Sequence, residues 1–312
     1  MRALAGTSIA TLLLLGTAAA AEPIFGNINI GGGYNYTKTD GSDIGAEGDD
    51  TRFLEASGSI NIPMGNNNVI SLDGDYRRDY FSTTVVGGYG DNAPIATYEI
   101  GAHFTYALSP KFSMGGFYGY GDNSRHGRDV ADQYNVHQFG LEARTILSEK
   151  AIGFGQFSIG YKGRDGEDAF NGYDAGYASR LGLIFALNQS TNWMIEGEYS
   201  FAPNMFEGED NGKFYGASFS GETAILPNNN VFLTYQAAYR KFDSTTETDI
   251  ITEKYIGIGL SFHFNSGSRF DSIKRNGSLG LPSLPNRASS WADEISEYPN
   301  DCTDPGTTCN PT

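Results

Sequence analysis

The chain has 312 residues, a formal net charge of −16 and a hydrophobic fraction of 39%. Its mean hydropathy of −0.36 argues against a helical membrane protein. The negative charge argues against a nucleic-acid partner, because phosphate contacts need a basic surface. Neither value argues against a membrane-spanning β-barrel, whose strands expose only alternate residues to lipid and keep a polar lumen. The aromatic content of 13% favours strands over helices.

Residues 1–21 predict a secretory signal peptide. Arg2 supplies a positive charge, residues 9–15 form a short apolar core, and residues 18–21 offer small-residue cleavage sites. The apolar run is too short for a helix that spans a bilayer, which disfavours an N-terminal membrane anchor. We therefore expect the mature chain to begin near Glu22.

After Glu22, apolar and polar residues alternate in segments of roughly ten to fourteen residues, the length of a tilted barrel strand. The first segment places Ile28 and Ile30 on one face and Asn27 and Asn29 on the other. Later segments repeat this alternation in chain order, with outward residues that include Leu54, Tyr80, Ile100, Met114, Leu141, Ile159, Leu183, Ile195, Phe219, Leu233 and Ile258. The pattern predicts about twelve strands.

The connections between these segments alternate between a long loop and a short turn. Outer-membrane barrels show this asymmetry, with short periplasmic turns and longer outer loops, whereas a soluble β-sandwich has no reason to sort its loops in this way. Aromatic residues also concentrate at the segment ends, as in the two girdles of a membrane barrel. The prediction is an all-β fold, a transmembrane antiparallel up-and-down β-barrel over residues 22–265.

The last alternating segment runs from Tyr255 to Phe264 and places Ile256, Leu260 and Phe262 on the same face as Phe264. This segment resembles the closing strand of Gram-negative outer-membrane β-barrels, whose terminal Phe is read during insertion. Over residues 1–264 the chain resembles the porin-like outer-membrane barrels. The resemblance implies an outer-membrane location, contact with outer-membrane lipid and recognition of this strand by the barrel-insertion machinery. Because the chain lacks the long constriction loop of trimeric porins, a monomer is expected.

Charged residues fall on the inward faces of the predicted strands at mid-height, and rings of such side chains set pore selectivity. The candidate pore-lining residues are Asp73, Asp75, Glu99, Glu142, Arg144, Arg180, Glu196, Glu198 and Glu222. They either line an open pore or pair with one another and fill a narrow lumen. With no long loop to fold inward, the sequence favours a narrow water-filled pore for passive diffusion of ions and small hydrophilic solutes, with a mild cation preference. The alternative is a non-conducting structural or surface-interaction barrel.

A catalytic role is disfavoured by the positions of the histidines. A lipid hydrolase needs a Ser and a His together on the lipid-facing side, with an orienting group. Only His137 points outward near the outer rim, where its expected neighbours include Tyr118 and Tyr120, and Ser179 lies two strands away. The sequence therefore predicts neither an enzyme nor a cofactor.

Residues 266–312 lack alternation and are rich in Ser, Pro, Asn and Asp, which predicts a largely disordered periplasmic tail. Trp291, Ile295 and Tyr298 suggest a short helix or docking motif within it. Cys302 and Cys309 flank a turn-forming stretch, and an oxidising periplasm favours a disulfide between them. A metal site is not expected there, because no His lies nearby.

Overall fold

Twelve antiparallel strands form a closed barrel in the computed structural model, which confirms the predicted fold class. The structure describes residues 22–40, 47–65, 67–81, 95–125, 133–164, 175–206, 210–225, 230–244 and 250–282. The strands are β1 (Phe25–Asp40), β2 (Glu47–Met64), β3 (Asn68–Phe81), β4 (Ile95–Ser109), β5 (Phe112–Arg125), β6 (Gln133–Ser148), β7 (Ala151–Arg164), β8 (Gly176–Asn188), β9 (Thr191–Phe206), β10 (Asp210–Ala224), β11 (Val231–Ser244) and β12 (Ile250–Phe264).

Each strand pairs with its neighbours in sequence, and β1 closes the barrel by pairing with β12. That seam runs without interruption from the pair Gly26 and Phe264 to the pair Asp40 and Ile250. Closure satisfies the backbone groups of both terminal strands and removes the open edges. We call the end of the barrel that holds Phe25 and Phe264 the turn end, and the opposite end the loop end.

The strands contain between 13 residues, in β8, and 18 residues, in β2. Several are longer than the alternating segments of the sequence, because the strand ladder continues into the polar stretches at the loop end. The backbone of Glu47 in β2, for example, still pairs with Thr39 of β1.

The outward face of the barrel is apolar over its middle, as the alternation predicts. Leu181 is 69% exposed, Ile30 is 65% exposed and Ile256 is 63% exposed. Tyrosines lie on the same face toward the loop end, among them Tyr34 and Tyr199. A continuous apolar wall bordered by aromatic residues is the outer surface of a membrane barrel.

Residues 265–282, which we call the lumenal segment, follow β12 and turn back into the barrel. The segment contains a short helix of six residues, α1 (Arg269–Lys274), which begins at a capping box between Ser268 and Asp271. No helix in the described part of the chain is long and apolar enough to cross a membrane.

The lumenal segment corrects the expectation of a disordered periplasmic tail from residue 266, because residues 266–282 are ordered and lie inside the barrel. The remaining predictions for the tail, including the disulfide between Cys302 and Cys309 and the motif around Trp291, lie outside the described residues. So does the predicted signal peptide, residues 1–21.

Candidate functional site: the barrel lumen

All the candidate pore-lining residues lie on the lumenal face, where their contacts divide most of them into three clusters. Asp75 and Glu99 are the exceptions: they face each other directly across β3 and β4. Although Asp75 is inside the barrel, its side chain is solvent-exposed. Water therefore reaches the lumen at this height, and two carboxyl groups border it.

The first cluster is centred on His103, whose ring lies between two carboxylates. Its Nε2 is 2.7 Å from Asp73, and its Nδ1 is 3.0 Å from Glu142. Glu142 also accepts a hydrogen bond from Arg144 at 3.0 Å and one from Gln156 at 3.2 Å. The cluster thus forms one hydrogen-bonded and ion-paired network that joins β3, β4, β6 and β7.

The second cluster is centred on Arg180, which is 6% exposed. Its guanidinium donates to Glu196 at 2.6 Å and lies 3.5 Å from Glu198. It also donates to the amide oxygen of Gln156 at 3.2 Å, which links this cluster to the first.

The third cluster lies near the turn end around Glu222, which is 2% exposed. Its carboxylate is 2.9 Å from Nε2 of His263 and accepts a hydrogen bond from Asn192 at 2.7 Å. The backbone N–H of Arg269, the first residue of α1, donates to the same carboxylate at 2.6 Å. This cluster therefore anchors the start of the helical turn.

A fourth group of charged residues on the lumenal face was not among the predicted pore-lining residues. Arg77 donates to Asp79 at 2.8 Å, and Arg240 lies 3.3 Å from Glu253, which is fully buried. The guanidinium of Arg77 also stacks over the ring of Phe53 at 4.1 Å. Strand parity marks these residues as inward, but it does not predict which of them pair. Arg77 and Asp79 lie on the same strand, and Arg240 meets Glu253 through the register of β11 and β12.

The lumenal segment is bound to one wall of the barrel through its backbone carbonyls. The donors are Arg144 on β6, Gln156 on β7 and Arg180 on β8, with Gln138 on β6. Their acceptors are the carbonyls of Ile273, Gly277, Leu279, Gly280, Leu281 and Pro282. The backbone that enters the lumen thus finds hydrogen-bond partners that water would otherwise supply.

An apolar cluster fixes the lower part of the segment. Phe270, Ile273 and Leu279 are buried against lumen-facing apolar side chains of β7, β8 and β9. Those wall residues are Ile152, Phe154, Ile184 and Met194. They are apolar residues at inward positions, which a purely water-filled pore would not favour.

The upper part of the segment fits against glycines of the wall. A Cβ at Gly119 would lie 2.8 Å from Leu281, and one at Gly101 would lie 3.1 Å from it. The missing side chains therefore provide the space that Leu281 occupies. On the neighbouring strand β3, Asp73 accepts a hydrogen bond from Ser278 at 2.6 Å. The segment thus reaches from the turn end to about the middle of β5. The sequence favours a water-filled lumen because it has no long loop to fold inward, whereas in the structure the stretch that follows β12 occupies part of the lumen.

On the outer wall, His137 has the neighbours expected from strand register. Its Nδ1 is 2.8 Å from the hydroxyl of Tyr118, and its ring packs edge-on against Tyr120 at 5.2 Å. Ser179 instead lies 3.4 Å from the carbonyl oxygen of Tyr199. The described residues contain no group of three or more His, Cys, Asp or Glu side chains placed to hold a metal ion.

No family model matches the chain, and no curated protein is similar to it in sequence. Solved structures are similar in fold. The crystal structure of an outer membrane channel from Pseudomonas putida F1 superposes with a TM-score of 0.54 at 11% identity, covering 80% of this chain and 100% of that one. The toluene transporter TodX of Pseudomonas putida gives 0.44 at 8% identity, with coverages of 80% and 90%. The monoaromatic hydrocarbon channel CymD gives 0.43 at 10% identity, with coverages of 76% and 88%.

The likeness to the first of these structures, at 11% identity, concerns the fold alone. A closed barrel of twelve strands with an apolar outer wall and a charged lumen is an outer-membrane β-barrel. The chain has this fold, as the sequence predicts.

Proposed function

We propose that the protein is an outer-membrane channel for passive diffusion of ions and small hydrophilic solutes, and that residues 265–282 hold it in a closed conformation. The observation that carries the proposal is the charged lumen itself. Glu55, Asp75 and Glu99 line it above the lumenal segment, where Asp75 is solvent-exposed. Charged groups that keep contact with water provide a path for hydrated solutes.

The lining also favours hydrophilic over apolar solutes. The apolar side chains on the inward faces of β7, β8 and β9 are buried beneath Phe270, Ile273 and Leu279. While the segment is in place these apolar side chains are covered, and a solute that enters from the loop end meets the carboxyl groups of Asp75 and Glu99. The preference for hydrophilic solutes therefore follows from the covered position of the apolar side chains and the accessible position of the carboxyl groups.

Closure by the lumenal segment is reversible in this proposal, because the wall charges have partners of their own. Arg144 pairs with Glu142, Arg180 pairs with Glu196, and both pairs join wall residues only. Withdrawal of the segment replaces its carbonyls by water and leaves no buried charge without a partner, which is the costly outcome. The cost of opening lies mainly in the small apolar cluster around Phe270.

A cation preference follows from the balance of charge along the lumen. The carboxyl groups of Asp75 and Glu99 lie directly opposite each other on β3 and β4, on the lumenal face. Like charges at this distance repel and attract a counter-ion. Entry from the loop end therefore favours cations.

A non-conducting barrel is the second candidate, and the depth of the lumenal segment favours it. The segment fills the lumen from the turn end to Gly119, and Arg144, Gln156 and Arg180 all bind it. If the segment never leaves, the barrel is a structural element of the outer membrane.

Planar-bilayer recordings separate the two candidates. The full chain and a variant that ends at Phe264 are refolded, and heat-dependent migration in gels confirms that each is a barrel. We expect brief, infrequent openings from the full chain and a sustained cation-selective conductance from the truncated one. A folded truncated barrel with no conductance would support the structural role, and anion selectivity would contradict the proposed lining.

A further inference from the structure

A groove lies on the lipid-facing wall of β10, β11, β12 and β1, apart from the lumen. Its volume is about 650 Å³. The groove exists because Ala217 and Ala237 present short side chains on adjacent strands, between the larger side chains of Phe219, Ile256 and Tyr34. Its dimensions and apolar lining suit an acyl chain.

Lys254 borders the groove on the side of the loop end. It is an exposed cation on the face that otherwise carries Ile256, Ile258 and Leu260. Strand register places it between Tyr36 of β1 and Tyr239 of β11. A lysine at this position can bury its apolar stem along the wall and hold its ammonium group at the headgroup level.

Two arginines extend the basic character of this wall. The guanidinium of Arg52 lies 5.6 Å from the centre of the Tyr34 ring, and that of Arg78 lies 5.2 Å from the centre of the Tyr80 ring. Stacking on these outward tyrosines holds both cations at the membrane interface.

Two lysines extend the basic wall to β10 and β11. Strand parity puts Lys213 and Lys241 on the outward face, near Tyr215. Lys241 lies 3.4 Å from Asp243, which is an acidic group on the same face.

The cations are confined to one side of the barrel. They lie on β10, β11, β12, β2 and β3, which together with β1 form one continuous stretch of the wall. Among the described side chains, the outward loop-end positions of β4 to β9 carry no Lys or Arg; they carry aromatic residues such as Tyr98, Tyr120, His137, Tyr161 and Tyr199. In a chain with a net charge of −16, such a one-sided group of cations indicates a specific anionic partner.

We propose that this wall binds a phosphate-bearing membrane lipid, with a phosphate on Lys254 and an acyl chain in the groove beside Ala217 and Ala237. The occupant follows from the combination of features. A cation next to tyrosines at the interface selects an anionic headgroup, and the apolar groove below it selects the attached chain. A soluble anion would leave the apolar groove empty, and an uncharged lipid would leave Lys254 without an anionic partner. The site does not depend on conduction through the lumen.

Native mass spectrometry of the full chain in non-ionic detergent tests the proposal, with diphosphoryl lipid A as the probe. Phosphatidylcholine and inorganic phosphate are the comparison ligands. We expect a resolved complex with lipid A and none with the other two. The variants Lys254→Gln and Ala237→Phe, which remove the charge and fill the groove, are each expected to weaken lipid A binding by about fivefold or more, the factor that one interfacial charge contributes.

Two matched variants serve as controls. Lys111→Gln removes an exposed cation at the turn end, and Ala102→Phe enlarges an outward alanine on β4. Both should bind lipid A like the native chain. Native-like binding by folded Lys254→Gln would overturn the proposal, as would equal binding of inorganic phosphate or dimerisation of the chain in place of lipid uptake. If Ala237→Phe fails to fold, Lys254→Gln and Arg52→Gln decide the question.

Discussion

Arg180 of β8 donates a hydrogen bond of 3.0 Å to the backbone carbonyl of Leu279 in the lumenal segment. The same guanidinium lies 2.6 Å from Glu196, so one side chain both pairs with a carboxylate of the wall and binds the lumenal segment. Since the acceptor is a backbone carbonyl, this contact depends on the path of the segment more than on its side chains. The lumenal segment is thus held by contacts that the wall can lose without leaving its own charges unpaired.

Arg180→Lys should open the channel more often. Lysine keeps a positive charge beside Glu196 but lacks the planar fork that reaches Glu196 and Leu279 together. Single-channel recordings should show an increased open probability with unchanged ion selectivity. Lys111→Arg, in the exposed turn between β4 and β5, is the control for a lysine–arginine exchange and should behave like the native chain.

Gly119→Val should displace the end of the lumenal segment. Even a Cβ at this position would lie 2.8 Å from Leu281, so valine overfills the site. We expect faster protease cleavage after Pro282 or within the segment, and a higher open probability. Gly74→Val is the control, because a Cβ at Gly74 meets nothing within 4 Å. Equal protease sensitivity of the two variants would argue against the position of Leu281 beside Gly119.

Phe270→Ala should release the segment while leaving the barrel folded. Phe270 is 4% exposed within the apolar cluster, and truncation of a buried Phe costs about 3–5 kcal/mol. This cost weakens the docking of the lumenal segment and not the barrel, because the segment is not part of the hydrogen-bonded strand ladder. Hydrogen exchange should accelerate in residues 268–282 and stay unchanged in β1 to β12. Loss of the folded barrel band in gels would show that the barrel does not stay folded when the segment is released.

Asp75→Asn should reduce the cation preference of the open channel. Asp75 is exposed to the lumen and faces Glu99, so its removal lowers the negative potential on the path of an entering ion. Reversal potentials in a salt gradient, measured on the chain that ends at Phe264, should shift toward zero. Glu149→Gln, in the exposed turn between β6 and β7, should leave the reversal potential unchanged.

Leu181→Arg should destabilise the barrel in lipid. Leu181 is 69% exposed on the outward face of β8, and an arginine near the bilayer midplane costs about 2–4 kcal/mol. Tyr177→Arg, closer to the loop end of the same strand, should cost about 0–1 kcal/mol because it lies nearer the interface. Urea unfolding in vesicles compares the free energies of unfolding of the two variants. Equal losses of stability would argue against a position of Leu181 near the bilayer midplane.

Strand alternation predicted the barrel because each strand is buried on one face only. A slip of one residue in β12 would turn Ile256 and Ile258 toward the polar lumen and Tyr255 toward lipid. Because that arrangement is unfavourable, the alternation in the sequence determines which side chains face lipid. The same rule placed Glu142, Arg180 and the other candidate residues on the lumenal face. Their role in selectivity stays a prediction.

The lumenal segment could not be read from alternation, because it has none. The segment binds the wall through its backbone carbonyls, and because every residue has one, the sequence does not show where they bind. Two local signals point to it: the capping box from Ser268 to Asp271, and the inward apolar residues Ile152 and Phe154, which indicate an apolar partner inside the lumen. The pairing of Arg240 with Glu253 was missed for another reason, since it requires strand register as well as parity.

The most direct test of closure by the lumenal segment is a reversible cross-link between the segment and the wall. Ser278 donates to Asp73 at 2.6 Å, so cysteines at both positions, with Cys302 and Cys309 replaced by serine, should form a disulfide on oxidation. The account predicts no conductance from the oxidised protein and channel openings after reduction. The same conductance in both states, with the disulfide verified by mass spectrometry, would contradict it.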